Sequence, residues 1–143
     1  MMLKAISATV RFAATYWSYR HRKFASREAL EKWQDYKVRE HLRFVVAHSR
    51  YYREIFQNYD LNDWRSFPIT DKRSMMANLD AFNTVGISGD QALMVARTAE
   101  RTRNFRPKIG DITVGLSSGT SGHGALFLSS NQENSEFIAA ALA

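Results

Sequence analysis

The chain has no cysteine and only 2 prolines in its 143 residues. The first absence removes disulfides and thiolate zinc sites, and with them the disulfide-stapled secreted mini-scaffold. Long hydrophobic runs are missing too: none approaches the roughly 20 residues that a membrane-spanning helix requires. Arg11 interrupts the apolar stretch between Ala5 and Ala14, which disfavours a cleavable secretory signal. Before Ser26 there is no acidic residue, so Lys4, Arg11, Arg20, Arg22 and Lys23 stand unopposed. The histidines His21, His41, His48 and His123 are scattered, without an i, i+4 pair beside a carboxylate, and no metal site is expected.

What is present is the balance of a globular chain, 45% hydrophobic and 24% charged, with a length suited to one domain. The formal net charge of +6 is unevenly spread. The basic N-terminus admits a membrane-surface helix, an import signal or a nucleic-acid arm. It also admits the commoner outcome, a solvated helix that packs Phe12, Tyr16 and Trp17 against its own protein. Later bases alternate with acids, as in Arg27-Glu28 and Arg39-Glu40, instead of forming the stripe that nucleic acid demands. Nucleic acid is not an expected partner.

Residues 1–25 therefore read as a basic helix or arm, and residues 26–143 as the body. Ser26 is placed to cap a long amphipathic helix reaching about His48, with Glu28 in its first turn. Leu30, Trp33, Tyr36, Val38, Leu42 and Val45 mark its apolar face, and a short helix carries Tyr52, Ile55 and Phe56. Ser66-Phe67-Pro68-Ile69 is expected to be extended, because a residue before proline is pushed from helical angles. Thr70 is expected to cap a short helix through Met75 and Met76. The segment 78–90 reads as a loop. The segment 91–101 fits either a helix or an irregular connection.

Five of the 7 glycines fall in the segment 110–124. There Ile112-Thr113-Val114-Gly115-Leu116 and Ala125-Leu126-Phe127-Leu128 have strand composition, and Ser129, Ser130 and Asn131 are caps for a final helix. Between the strands runs Ser117-Ser118-Gly119-Thr120-Ser121-Gly122-His123-Gly124. Small residues let successive backbone N–H groups converge on an anion, and the four hydroxyls add donors for phosphate oxygens. The loop lacks the Gly-Lys-Ser/Thr of a Walker motif, and its glycine spacing is not that of a dinucleotide fingerprint. By composition alone a plain hairpin loop is as good a reading, and the commoner one.

Ser117-Ser118-Gly119-Thr120-Ser121-Gly122 closely resembles the phosphate-loop signature of the adenylate-forming enzyme superfamily. The likeness is greatest to the phenylacetate–CoA ligase branch, in particular to relatives of the deazaflavin-coenzyme adenylylating synthetases, some of them associated with capsule polysaccharide genes. His48-Ser49-Arg50-Tyr51-Tyr52-Arg53-Glu54 and Phe67-Pro68-Ile69-Thr70-Asp71-Lys72 resemble two upstream motifs of that branch, in the same order and spacing. The resemblance implies an ATP-dependent ligase or synthetase in which a small-molecule carboxylate or phosphate attacks the α-phosphorus and expels pyrophosphate. It implies that Ser117, Ser118, Gly119, Thr120, Ser121 and Gly122, with His123 beside them, hold the ATP phosphates together with magnesium (Mg2+). Coenzyme A as acceptor is left open, and the expected location is cytoplasmic. Most of the superfamily carry a proline and a lysine after the loop, where this chain has His123-Gly124-Ala125.

The expected fold class is thus α/β: N-terminal helices leading into the first strands of an adenylate-forming domain, truncated at its C-terminus and inactive alone. Such a piece is expected to self-associate through exposed sheet edges. The other function carried forward is a non-catalytic module whose basic helical surface docks on a membrane or an acidic partner. Several residues have an ordinary reading first: Lys72 as a solvated helix-start lysine, Met75 and Met76 as packing, Tyr51 and Tyr52 as contacts of the helix with the sheet. Glu100, Arg101 and Arg103 are candidates to line a substrate channel.

Overall fold

A computed structural model describes residues 2–117 and 124–143, the side chains from Ala8 onward. It is a mixed α/β arrangement of helices around a small three-stranded antiparallel sheet. Helix α1 (Met2–Arg20) is followed by α2 (Arg27–His48) and the short α3 (Arg50–Ile55). A 3-10 turn (Leu61–Ser66), α4 (Lys72–Ala77), α5 (Leu79–Phe82) and α6 (Gly89–Thr102) come next. The strands β1 (Lys108–Ile109), β2 (Ile112–Leu116) and β3 (Leu126–Ser130) lead directly into α7 (Asn131–Ala141).

The long helix begins where its cap predicts: the Ser26 side chain accepts from the Ala29 N–H, and Glu28 sits in the first turn. Its inner face carries Leu30, Trp33, Val38, Leu42 and the buried Val45. Tyr36 belongs to the outer face, 57% exposed, contrary to the expected stripe. The cap of α4 is Asp71 and not Thr70: the Asp71 carboxylate accepts the Ser74 N–H at 2.7 Å. Phe67 is extended before Pro68, but Ser66 closes the 3-10 turn.

The expected loop over residues 78–90 instead contains α5 and the start of α6. Two polar side chains organise it. Asn83 donates to the Leu79 and Ile87 carbonyls at 2.7 and 2.8 Å, and its Oδ1 accepts the Val85 and Ile87 N–H groups. Asp80 accepts the Gly89 N–H at 2.7 Å, occupying a donor that the first turn of α6 leaves free. The 91–101 segment is helical throughout, and α6 ends on Arg103 in the left-handed region at φ 53°.

The core lies between α6 and one face of the sheet. Ala92 and Ala96 let the helix approach closely, and Leu79, Ile87, Val114 and Leu126 fill the space, with Met76, Leu93, Ile112 and Leu128 at the margin. Tyr51 and Tyr52 pack differently from expectation. Their rings stand 5.3 and 4.9 Å from that of Phe82, so they join α3 to α5 and not the long helix to the sheet. The chain's two outer helices meet as well: α1 packs against α7, and Arg20 Nη1 donates to the Ala143 carbonyl at 3.0 Å.

Candidate functional site

Strands β2 and β3 pair antiparallel in the register Ile112↔Ser130, Val114↔Leu128 and Leu116↔Leu126. Two bonds close the pair at its open end. The Ser117 N–H donates to the Ala125 carbonyl at 2.8 Å, and the Ala125 N–H donates to Ser117 Oγ at 2.8 Å. Ser117 thus substitutes its side chain for its carbonyl in the last rung, while its own hydroxyl proton remains available to another acceptor. Gly124 is required by this closure, since a Cβ there would stand 2.9 Å from the Ser117 carbonyl oxygen. Of the residues expected to grip phosphate, Ser117 is therefore the one the structure describes. Ser118, Gly119, Thr120, Ser121, Gly122 and His123 lie outside the described residues.

The stem is rooted in the core: Val114 is 1% exposed and Leu126 3%. On the opposite face the Phe127 ring lies across Gly115, where a Cβ would fall 1.8 Å from the ring. A cleft of about 230 Å³ opens beside β2, lined by Glu100, Arg103, Phe105, Pro107, Val114 and Leu116 among others. Two of the three residues considered for a channel, Glu100 and Arg103, therefore meet at the hairpin's root. Arg101 does not join them; it lines another hollow of α6 with Asp90, Met94 and Arg97.

A larger cleft, about 350 Å³, follows the outer edge of β3, walled by His41, Tyr52, Met75, Phe82 and Val85. Sequence reasoning missed it, because its walls come from four separate segments. Burial pushes the Tyr52 hydroxyl above its ordinary pKa, a shift moderated by its hydrogen bond to Thr70. Among the described residues no strand pairs with that edge. The Ser117–Ala125 rung makes Gly115/Phe127 and Thr113/Ser129 the bond-exchanging pairs, so Leu126 and Leu128 turn their N–H and C=O groups outward. The next outward donor, the Ser130 N–H, is taken by the Glu133 carboxylate at 2.7 Å in a capping box.

The two upstream motifs turn out to hold helices together. Ser49, fully buried, ends α2 and caps α3; its Oγ donates to the Ala81 carbonyl at 3.0 Å and accepts the Tyr52 N–H at 3.3 Å. Arg53 covers the last carbonyls of α2, at 3.2 Å from Val46 O and 2.6 Å from Ala47 O. His48 bonds the Phe44 carbonyl at 2.8 Å from the helix end. Among the described residues no group of three metal-ligating side chains occurs, and no helix is long and apolar enough to cross a membrane. Comparison with protein-family models, with curated proteins and with solved structures finds no match to this chain.

Proposed function

We propose that this chain belongs to an ATP-dependent adenylate-forming ligase or synthetase, and that its β2–β3 hairpin grips the nucleotide's phosphates while a carboxylate or phosphate substrate attacks the α-phosphorus. The observation that supports this reading is the mounting of the segment. A run of hydroxyls and glycines joins two strands whose stem is locked by the Ser117–Ala125 rung and rooted in the core through Val114 and Leu126. Donors held on a fixed stem lose little freedom when they meet an anion, which is what stabilising a leaving pyrophosphate requires.

In this reading Ser117, Ser118, Thr120 and Ser121 donate hydroxyls, Gly119 and Gly122 leave the backbone N–H groups unobstructed, and His123 adds a donor beside them. The residues of the loop carry no carboxylate, so Mg2+ would be held through phosphate oxygens and water, as is usual for magnesium at triphosphates. Bound there, the ion supplies charge neutralisation. Arg103, which lines the cleft beside β2, is a candidate to meet the substrate acid, with Glu100 in the same cleft.

Calorimetry of the chain with magnesium–ATP tests the proposal, alongside a Ser118→Ala/Thr120→Ala variant. Binding that weakens at least about tenfold in the variant, the equivalent of one or two hydrogen bonds to a charged group, is the expected result. Equal binding by both proteins, or none by the unaltered folded chain, removes the loop from the role.

A further inference from the structure

We infer that the outward face of α1 is a docking surface for an anionic lipid bilayer. The helix has two faces. Phe12, Thr15 and Tyr16 are half-buried, on the side where α1 packs against α7. On the other side Val10 is 62% exposed and Trp17 64%, with Ala13 and Ala14 exposed between them. Val10 and Trp17 stand 7 residues apart, two helical turns, so they form one apolar stripe parallel to the axis. In sequence Leu3 and Ile6 precede Val10 at the spacing of the same stripe.

The charge that the N-terminal segment itself brings to the stripe is of one sign. Arg11, Arg20 and Lys23 are exposed beside it, and no acid occurs before Ser26. The acids of the neighbouring α2 are occupied by bases: Glu28 by Lys32, Glu31 by Arg27 and Glu40 by Lys37 within the helix, and Asp35 by Arg39 and by Arg65 of the 3-10 turn. On α7, Glu133 serves the capping box and Glu136 accepts from Gln132 at 2.9 Å. The helix is also held in place. Arg22 lies between the rings of Tyr19 and Trp33, 4.6 and 4.5 Å from their centroids, and fastens the end of α1 to α2.

An apolar stripe carrying tryptophan and rimmed by bases is the pattern of a helix lying in the headgroup region. The helix does not meet the length and apolarity needed to cross. A polyanion such as RNA would neutralise the rim yet leave Val10 and Trp17 in water. A second copy would bring its own bases against these. A bilayer with acidic headgroups takes both the stripe and the rim.

The test is sedimentation of the full chain with vesicles of phosphatidylcholine containing about 30% phosphatidylserine, and with pure phosphatidylcholine, at low and high salt. The chain is expected to pellet with the acidic vesicles and to release as salt rises. Val10→Asp/Trp17→Asp should weaken partitioning by about tenfold or more, with thermal unfolding unchanged because both residues are exposed. A Trp33→Phe/Trp64→Phe chain, whose remaining emission comes from Trp17, should shift to the blue on acidic vesicles. No pelleting, or no blue shift, overturns the inference. Equal partitioning of the Asp variant does so too, and tighter binding to RNA than to vesicles would reassign the surface to nucleic acid.

Discussion

Ser49 is the residue on which the helical half turns. Its hydroxyl, at full burial, serves the start of α3 and reaches the Ala81 carbonyl within α5. Ser49→Ala removes a bond from that half-buried carbonyl and removes a cap, so unfolding free energy should fall by about 1–3 kcal/mol, measurable by urea titration. Part of what resembles a family motif is therefore helix capping, and the stability loss should appear whether or not ATP binds. Arg103 presents the opposite case. A side chain in the left-handed region costs roughly 1–2 kcal/mol, which glycine would not incur. Arg103→Gly should raise the melting temperature; if the cleft at the hairpin's root meets the substrate, the same change should weaken its binding.

Among the elements, the caps differ in chemistry and hence in their response to acid. Asp71 is held below its ordinary pKa of 3.8, first by the Ser74 N–H and then by the Ser74 side chain. A depressed carboxylate contributes stability that is complete above pH 3.8 and is lost as pH falls through its lower folded value. The start of α4 should therefore loosen in that acid window, seen as loss of Ser74 amide protection; Asp71→Asn should remove the dependence. The serine cap of α2 has no carboxylate and should hold. Sequence periodicity made α2 legible because its 22 residues repeat one face many times, and Ser26 marks its start. It failed on α5 and β1, with 4 and 2 residues, which exist through tertiary bonds such as those of Asn83 and the pairing Ile109↔Ile112. The β2–β3 stem was readable from its strand-like apolar composition, but no residue pattern announced that Ser117 would close it through Oγ.

At the scale of the whole molecule, the accessible surface is 10914 Å², against about 7500 Å² for a compact monomer of 16.4 kDa. Less apolar surface than usual is withdrawn from water, so the heat capacity of unfolding should fall below the common ~12–15 cal/mol/K per residue in a calorimetric scan. The outward groups of Leu126 and Leu128 add an unpaired edge to this open surface. Phe127→Lys, at a position 54% exposed on that strand, should lower any concentration-dependent association seen by sedimentation velocity. The packing of α1 on α7 also orders events in time. At roughly 5–20 residues per second, the ribosome releases α7 several seconds or more after α1 has emerged. During that interval Phe12 and Tyr16 have no α7 to cover them, so the newborn helix is apolar on both sides. Whatever surface captures it then, a chaperone or a bilayer, competes with α7.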